Sequence, residues 1–140
     1  MSDITKLAAM IYGEAANQKP EIMRKIGSTA VNRLSAGRDE EFGSNMDEVL
    51  NKGYYAVRNP NEPYKHTMTG KFPDELSATQ YKQALAIASG LIKGTITPDK
   101  GEFYFTKSEL NKLKKKGRKA FNFDAVKKLD EFGDYQMFGY

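Results

Sequence analysis

Two runs of apolar residues at helical spacing stand only a few residues apart near the start of the chain, and this constrains the fold more than any other feature. Ile4, Leu7, Ala8, Ile11 and Ala15 repeat on one face of a first segment, with Ser2 or Asp3 placed to cap it. Pro20 suits the first turn of a second helix, Glu21 complements its dipole, and Ile22, Ile26, Ala30, Val31 and Leu34 follow on one face until Gly37. A connection this short makes the two helices antiparallel or steeply crossed neighbours.

Further along, Ser44-Asn45-Met46-Asp47 reads as the opening of a short helix that Gly53 closes. Residues 54–74 hold Asn59, Pro60, Asn61, Pro63, Gly70 and Pro73, a density of turn formers that predicts a hairpin plus a long loop. Ser77-Ala78-Thr79-Gln80 resembles a capping box ahead of Ala84, Leu85, Ala88, Leu91 and Ile92, with Gly94 as the stop. Glu102-Phe103-Tyr104-Phe105 is a strand candidate, and Thr106-Lys107-Ser108-Glu109 a second capping box, for a helix ending near Gly117. Aromatic residues around Gly133-Asp134 suggest a terminal hairpin. The expected layout is α+β: mainly helical, with a small antiparallel sheet.

At 140 residues, with 39% apolar and 29% charged side chains, the chain suits one domain spanning 1–140 that builds its own core. It has no cysteine, which excludes disulfides, thiol nucleophiles and thiolate metal sites. Its one histidine, His66, gives no zinc set of the usual kind, so neither metal nor other cofactor is expected. Glycine-rich phosphate-binding motifs are missing as well. No stretch approaches the roughly 20 apolar residues of a membrane span, and the first residues carry no export signal.

The formal net charge of +4 lies entirely in residues 71–140, most densely from Lys112 to Lys119. A basic surface attracts polyanions, including nucleic acid and anionic cell-wall polymers, without choosing among them. A binding module using this cluster with Phe121 and Phe123 is therefore one reading of the chain, although no nucleic-acid signature accompanies it. The other reading rests on Glu14. At 100° per residue its carboxylate falls about 20° from Leu7, bordering the apolar stripe. Apolar surroundings push a carboxyl group toward its neutral, proton-donating form. Gly13 beside it leaves bare backbone that a substrate could approach. On spacing alone, a structural carboxylate paired with Arg33 or Lys6 stays open.

The order Leu7-Ala8-Ala9-Met10-Ile11-Tyr12-Gly13-Glu14-Ala15, then Ala30-Val31-Asn32-Arg33-Leu34, resembles the opening of the SleB/CwlJ-like cell-wall hydrolases. Weaker matches at Gly53 to Val57, Gln83 to Gly94, Gly101 to Phe105 and Gly133-Asp134-Tyr135 extend the resemblance over nearly the whole chain. The family's glutamine near Tyr54 and histidine near Tyr135 are absent. The resemblance implies a lysozyme-like fold and cleavage of the β-1,4 bond between N-acetylmuramic acid and N-acetylglucosamine, with Glu14 as catalyst. Asp39, Glu40, Glu41, Asp47 and Glu48 all sit in segments that look solvated, and none stands out as a second acid. That favours a lytic-transglycosylase route with one glutamate.

A glycan groove wants aromatic platforms among amides and hydroxyls, for which Tyr54, Tyr55, Asn59 and Tyr104 are candidates, each with packing as the alternative. Tyr12 either faces the groove or braces its helix, whereas Asn32 and Arg33 are expected to orient the helices and loops. The expected partner is the peptidoglycan glycan strand, met by a monomer. The expected setting is a phage endolysin or virion-associated lysin, made in the host cytoplasm or carried in the particle.

Overall fold

The computed structural model describes residues 2–99, 101–107, 127–132 and 135–139. The chain is mainly helical, and among these residues it forms seven helices: α1 (Asp3–Ala15), α2 (Pro20–Ser35), α3 (Asp39–Phe42), α4 (Met46–Gly53), α5 (Tyr55–Arg58), α6 (Glu62–Thr69) and α7 (Glu75–Lys93). Three short strands follow, β1 (Tyr104–Lys107), β2 (Lys127–Phe132) and β3 (Tyr135–Gly139).

α1 is the axis of the molecule. Its N-cap is Ser2, whose side chain accepts from the Thr5 amide, and every residue from Leu7 to Gly13 is buried. The sequence shows one apolar face. The structure instead encloses the helix on all sides with α7, α2, α6, α4 and α5. Small residues make this possible, because Ala8, Ala9 and Gly13 let neighbours close in where a larger side chain would hold them off. α2 begins with Pro20 in its first turn and packs Met23, Ile26 and Ala30 into the same core.

The expectation of a hairpin and long loop over 54–74 is corrected: α5 and α6 occupy most of it. The turn formers there are helix punctuation. Asn61 Oδ1 accepts from the Tyr64 amide at 3.0 Å, Pro63 stands in the first turn of α6, and Gly70 ends it with φ +72°. Likewise α7 starts at Glu75, before the expected capping box, because Asp74 Oδ1 accepts from the Ser77 amide at 2.7 Å. α3 was not legible, its acidic residues suggesting only a solvated segment.

The strands pair antiparallel in the order β1-β3-β2, with Tyr104 opposite Phe138 and Phe132 opposite Tyr135. The terminal hairpin is thus present. Thr106 and Lys107 belong to β1 rather than to a helix start, pairing with Gln136 and Tyr135. The rest of that expected helix, the Lys112 to Lys119 cluster with Phe121 and Phe123, and Gly133-Asp134 lie outside the described residues.

A buried polar cluster ties the segment before β1 to α2. Lys25 Nζ meets Glu102 Oε1 at 3.2 Å with both side chains almost fully covered, and Asp99 Oδ2 lies 3.6 Å from the same ammonium. The Asn32 amide donates to the carbonyls of Asp99 and Glu102, and Arg33 Nε donates to that of Phe103 at 2.7 Å. Asn32 and Arg33 therefore act as organisers of this segment. Among the described residues no helix is long and apolar enough to cross a membrane.

Candidate active site

Glu14 stands in the last turn of α1, the one partly exposed side chain in the run from Leu7 to Ala15. Its Oε1 accepts from the backbone N–H of Ala56 at 3.0 Å. That amide is in the first turn of α5, where N–H groups lack intrahelical acceptors and are open to outside partners. The Glu14 carbonyl accepts from the Tyr135 hydroxyl at 3.1 Å, so β3 is fastened to the same end of α1. Asn61 Nδ2 closes the other side by donating to the Gly13 carbonyl at 2.8 Å. Three segments distant in sequence thus converge on the end of α1 that carries this carboxyl group, and of them Ala56 bonds the carboxyl itself.

Gly13 has a different use from the one expected. A Cβ placed there would lie 3.2 Å from both the Ala56 and Tyr64 Cβ atoms, so the bare backbone is covered by α5 and α6 rather than open to substrate. Lys6, one possible structural partner of Glu14, pairs with Asp47 at 2.8 Å.

Tyr54 lies under this site, 1% exposed. Its hydroxyl is 2.5 Å from Thr29 Oγ1, its ring stacks on Phe105 at 6.1 Å, and the Arg33 guanidinium sits 4.7 Å from the ring centroid. Burial pushes the phenol's pKa up, the Arg33 cation opposes the rise, and the Glu14 charge adds to it. Phe105 also contacts Tyr135, with centroids 6.3 Å apart. A Cβ at Gly53 would collide with the Arg33 guanidinium, so this glycine admits the cation beside Tyr54.

The aromatic candidates divide. Tyr55 is 68% exposed and adjoins Ala56, the residue bonded to Glu14, while Asn59 is exposed one turn on, at the C-cap of α5. Both are placed where a ligand can reach them. The expectation for Tyr12 and Tyr54 as binding platforms is corrected: buried rings offer no face to a sugar. Tyr12, 2% exposed, meets Phe72 and Tyr81 edge-on at 5.8 Å and braces α1 against α7. Tyr104 has its backbone in β1, opposite Phe138.

Of the other acids, Glu41, Asp47 and Glu48 have structural work. Glu48 takes the Ser44 amide and the Asn45 side chain at the start of α4, and Arg38 meets Glu41 at 2.6 Å. Asp39 and Glu40 are exposed on α3. Among the described residues no His, Cys, Asp and Glu cluster is arranged to hold a metal ion. Thr29 and the Ala56 amide were not legible as parts of the site: one is a mid-helix hydroxyl, the other a backbone group. Tyr135 was visible only as the residue where the resembled family has a histidine nearby. Compared with known proteins, the chain matches no family model, no curated protein and no solved structure.

Proposed function

We propose that this chain is a peptidoglycan-cleaving glycosidase in which Glu14 is the catalytic acid. The observation that carries the reading is the placement of Glu14: a carboxyl group ending the central buried helix, oriented by the Ala56 amide, beside an exposed tyrosine. A general acid for glycoside cleavage needs a fixed carboxyl group at the border of core and solvent, and a neighbouring surface for the sugar. Tyr55 and Asn59 supply an apolar face and an amide of the kind that sugar rings recognise. The motif order around Glu14 and Asn32-Arg33, which resembles the SleB/CwlJ-like hydrolases, supports the same substrate. We extend the proposal to a lysozyme-like fold, in which the helix bearing the acid ends against a small antiparallel sheet, and to a phage lysin acting on the bacterial wall.

With Asp47, Glu48 and Glu41 engaged in ion pairs and caps, the reading favours one carboxyl group working twice. Glu14 donates its proton to the glycosidic oxygen as the bond to C1 of N-acetylmuramic acid breaks, releasing N-acetylglucosamine with a 4-hydroxyl group. The carboxylate then takes the proton of the muramoyl 6-hydroxyl as that oxygen closes on C1. The 1,6-anhydro ring forms and the acid is regenerated, so no water is consumed. Mass spectrometry of digested glycan strands tests this route. Anhydro-muramic ends are expected; reducing ends alone would exclude it.

A further inference from the structure

Lys6, Arg24, Arg38 and Lys65 each meet a carboxylate, at 2.8, 3.7, 2.6 and 3.6 Å. Lys52 and Arg58 differ. Both are exposed, and among the described residues each is held by a backbone carbonyl rather than by an acid. Lys52 Nζ donates to the Glu40 carbonyl at 3.3 Å, and Arg58 Nη1 donates to the Lys52 carbonyl at 2.6 Å. A carbonyl fixes a cation in place without neutralising it, and the bond to Lys52 uses one of the guanidinium's five N–H donors. Arg58 lies three residues after Tyr55 and Asn59 four, so in the single turn of α5 their side chains start from one face, with the buried Ala56 off it. That turn is only about 6 Å long. It brings two fixed cations to the exposed tyrosine and amide beside Glu14.

We propose that Lys52 and Arg58 form a carboxylate-binding subsite beside Tyr55, which recognises the acidic side arm of muramic acid and selects strands that carry it over neutral N-acetylglucosamine polymers. The proposal rests on the glycosidase reading of this surface and adds the substrate feature that it selects. N-acetylmuramic acid differs from N-acetylglucosamine by a lactyl ether, which ends in a carboxylate or continues into a peptide that bears carboxylates. An arginine fork matches a carboxylate in shape, and the lysine adds a point charge. A continuous polyanion such as nucleic acid fits less well. It draws on many cations at once, whereas residues 1–70 carry no net charge and offer this one local pair.

The test measures binding of soluble strands to the full-length Glu14→Gln protein. The probes are a peptide-free strand with ionised lactyl groups, the same strand as its methyl ester, and a peptide-bearing strand. At low salt the acidic peptide-free strand should bind about fivefold more tightly than the ester, and the preference should fade at about 0.5 M salt. Lys52→Gln combined with Arg58→Gln should abolish the preference while leaving the ester's Kd within about twofold. The acid and ester comparison needs neither substitution, so it stands if that double variant fails to fold. A peptide-bearing strand that binds at least as tightly as the peptide-free one assigns the subsite to peptide carboxylates; weaker binding assigns it to the lactyl group. Equal Kd values for acid and ester overturn the proposal, as does binding of neither. A larger loss for single-stranded DNA than for the acidic strand in the double variant also overturns it, by marking a general polyanion patch. Wall cleavage by wild type is scored separately. If walls are cleaved while acid and ester bind alike, the subsite falls and the glycosidase reading stands; if the acid is preferred but walls stay intact, only the glycosidase reading falls.

Discussion

The Tyr54 hydroxyl donates to Thr29 Oγ1 across the interface between α2 and the start of α5, and Thr29 passes its own proton to the Ile26 carbonyl. This one-way chain makes the two residues unequal. Thr29→Val leaves a buried phenol without an acceptor and should cost about 2 kcal/mol, whereas Tyr54→Phe leaves Thr29 still bonded to Ile26 and should cost about 1 kcal/mol. Denaturant unfolding of both variants and the double variant checks the order. A double variant no less stable than Tyr54→Phe is expected; equal single costs would contradict the assigned direction.

The Lys25–Glu102 pair is buried on both sides and holds the approach to β1. Lys25→Met should destabilise by about 3 kcal/mol because it removes a cation that faces a buried carboxylate. Adding Glu102→Leu should recover most of that loss. If the double variant is as unstable as the single, the cost lies in packing rather than in the loss of the cation.

Tyr55 presents most of its surface to solvent. Its replacement by alanine should change stability by less than about 0.5 kcal/mol. It should nevertheless weaken cleavage of glycan strands, mainly through KM, while Tyr55→Phe keeps the apolar face and most of the activity. Equal KM values for wild type and Tyr55→Ala would remove this ring from the binding surface.

Asp74 caps α7, and the Ser77 backbone amide holds its carboxyl below the usual 3.8. A carboxylate depressed in the folded state contributes stability above its unfolded value and loses it as pH falls through the folded one. The Asp74 contribution should therefore be complete at neutral pH and fade below about pH 4. Asp74→Asn keeps a capping side chain and should flatten this part of the acid limb, read by thermal melts across pH 2 to 6. An unchanged limb would assign it to other carboxylates.

Helices with clean punctuation were readable from the residues alone. α1, α2 and α7 follow from periodic apolar residues between Ser2, Pro20 and Gly94. The stretch from Tyr54 to Asp74 was not, because Asn61, Pro63 and Gly70 signal a loop and a capped short helix equally well. Tertiary contact decides between them, as α6 packs Tyr64 over Gly13. Glu14 could be placed at the edge of an apolar face by counting residues. Its surroundings could not, since the Ala56 amide and the Tyr135 hydroxyl arrive from 42 and 121 residues away. For the same reason Tyr12 and Tyr54 look like Tyr55 in sequence, although only Tyr55 faces solvent.

The most direct measurement compares wild type with Glu14→Gln on purified peptidoglycan, following turbidity and the ends of the released strands. Glutamine keeps the shape and the Ala56 bond but has no proton to give. Cleavage should fall by 10²- to 10⁴-fold, roughly the contribution of a general acid, with the melting curve preserved. A Glu14→Gln protein that clears walls at the wild-type rate would contradict the account.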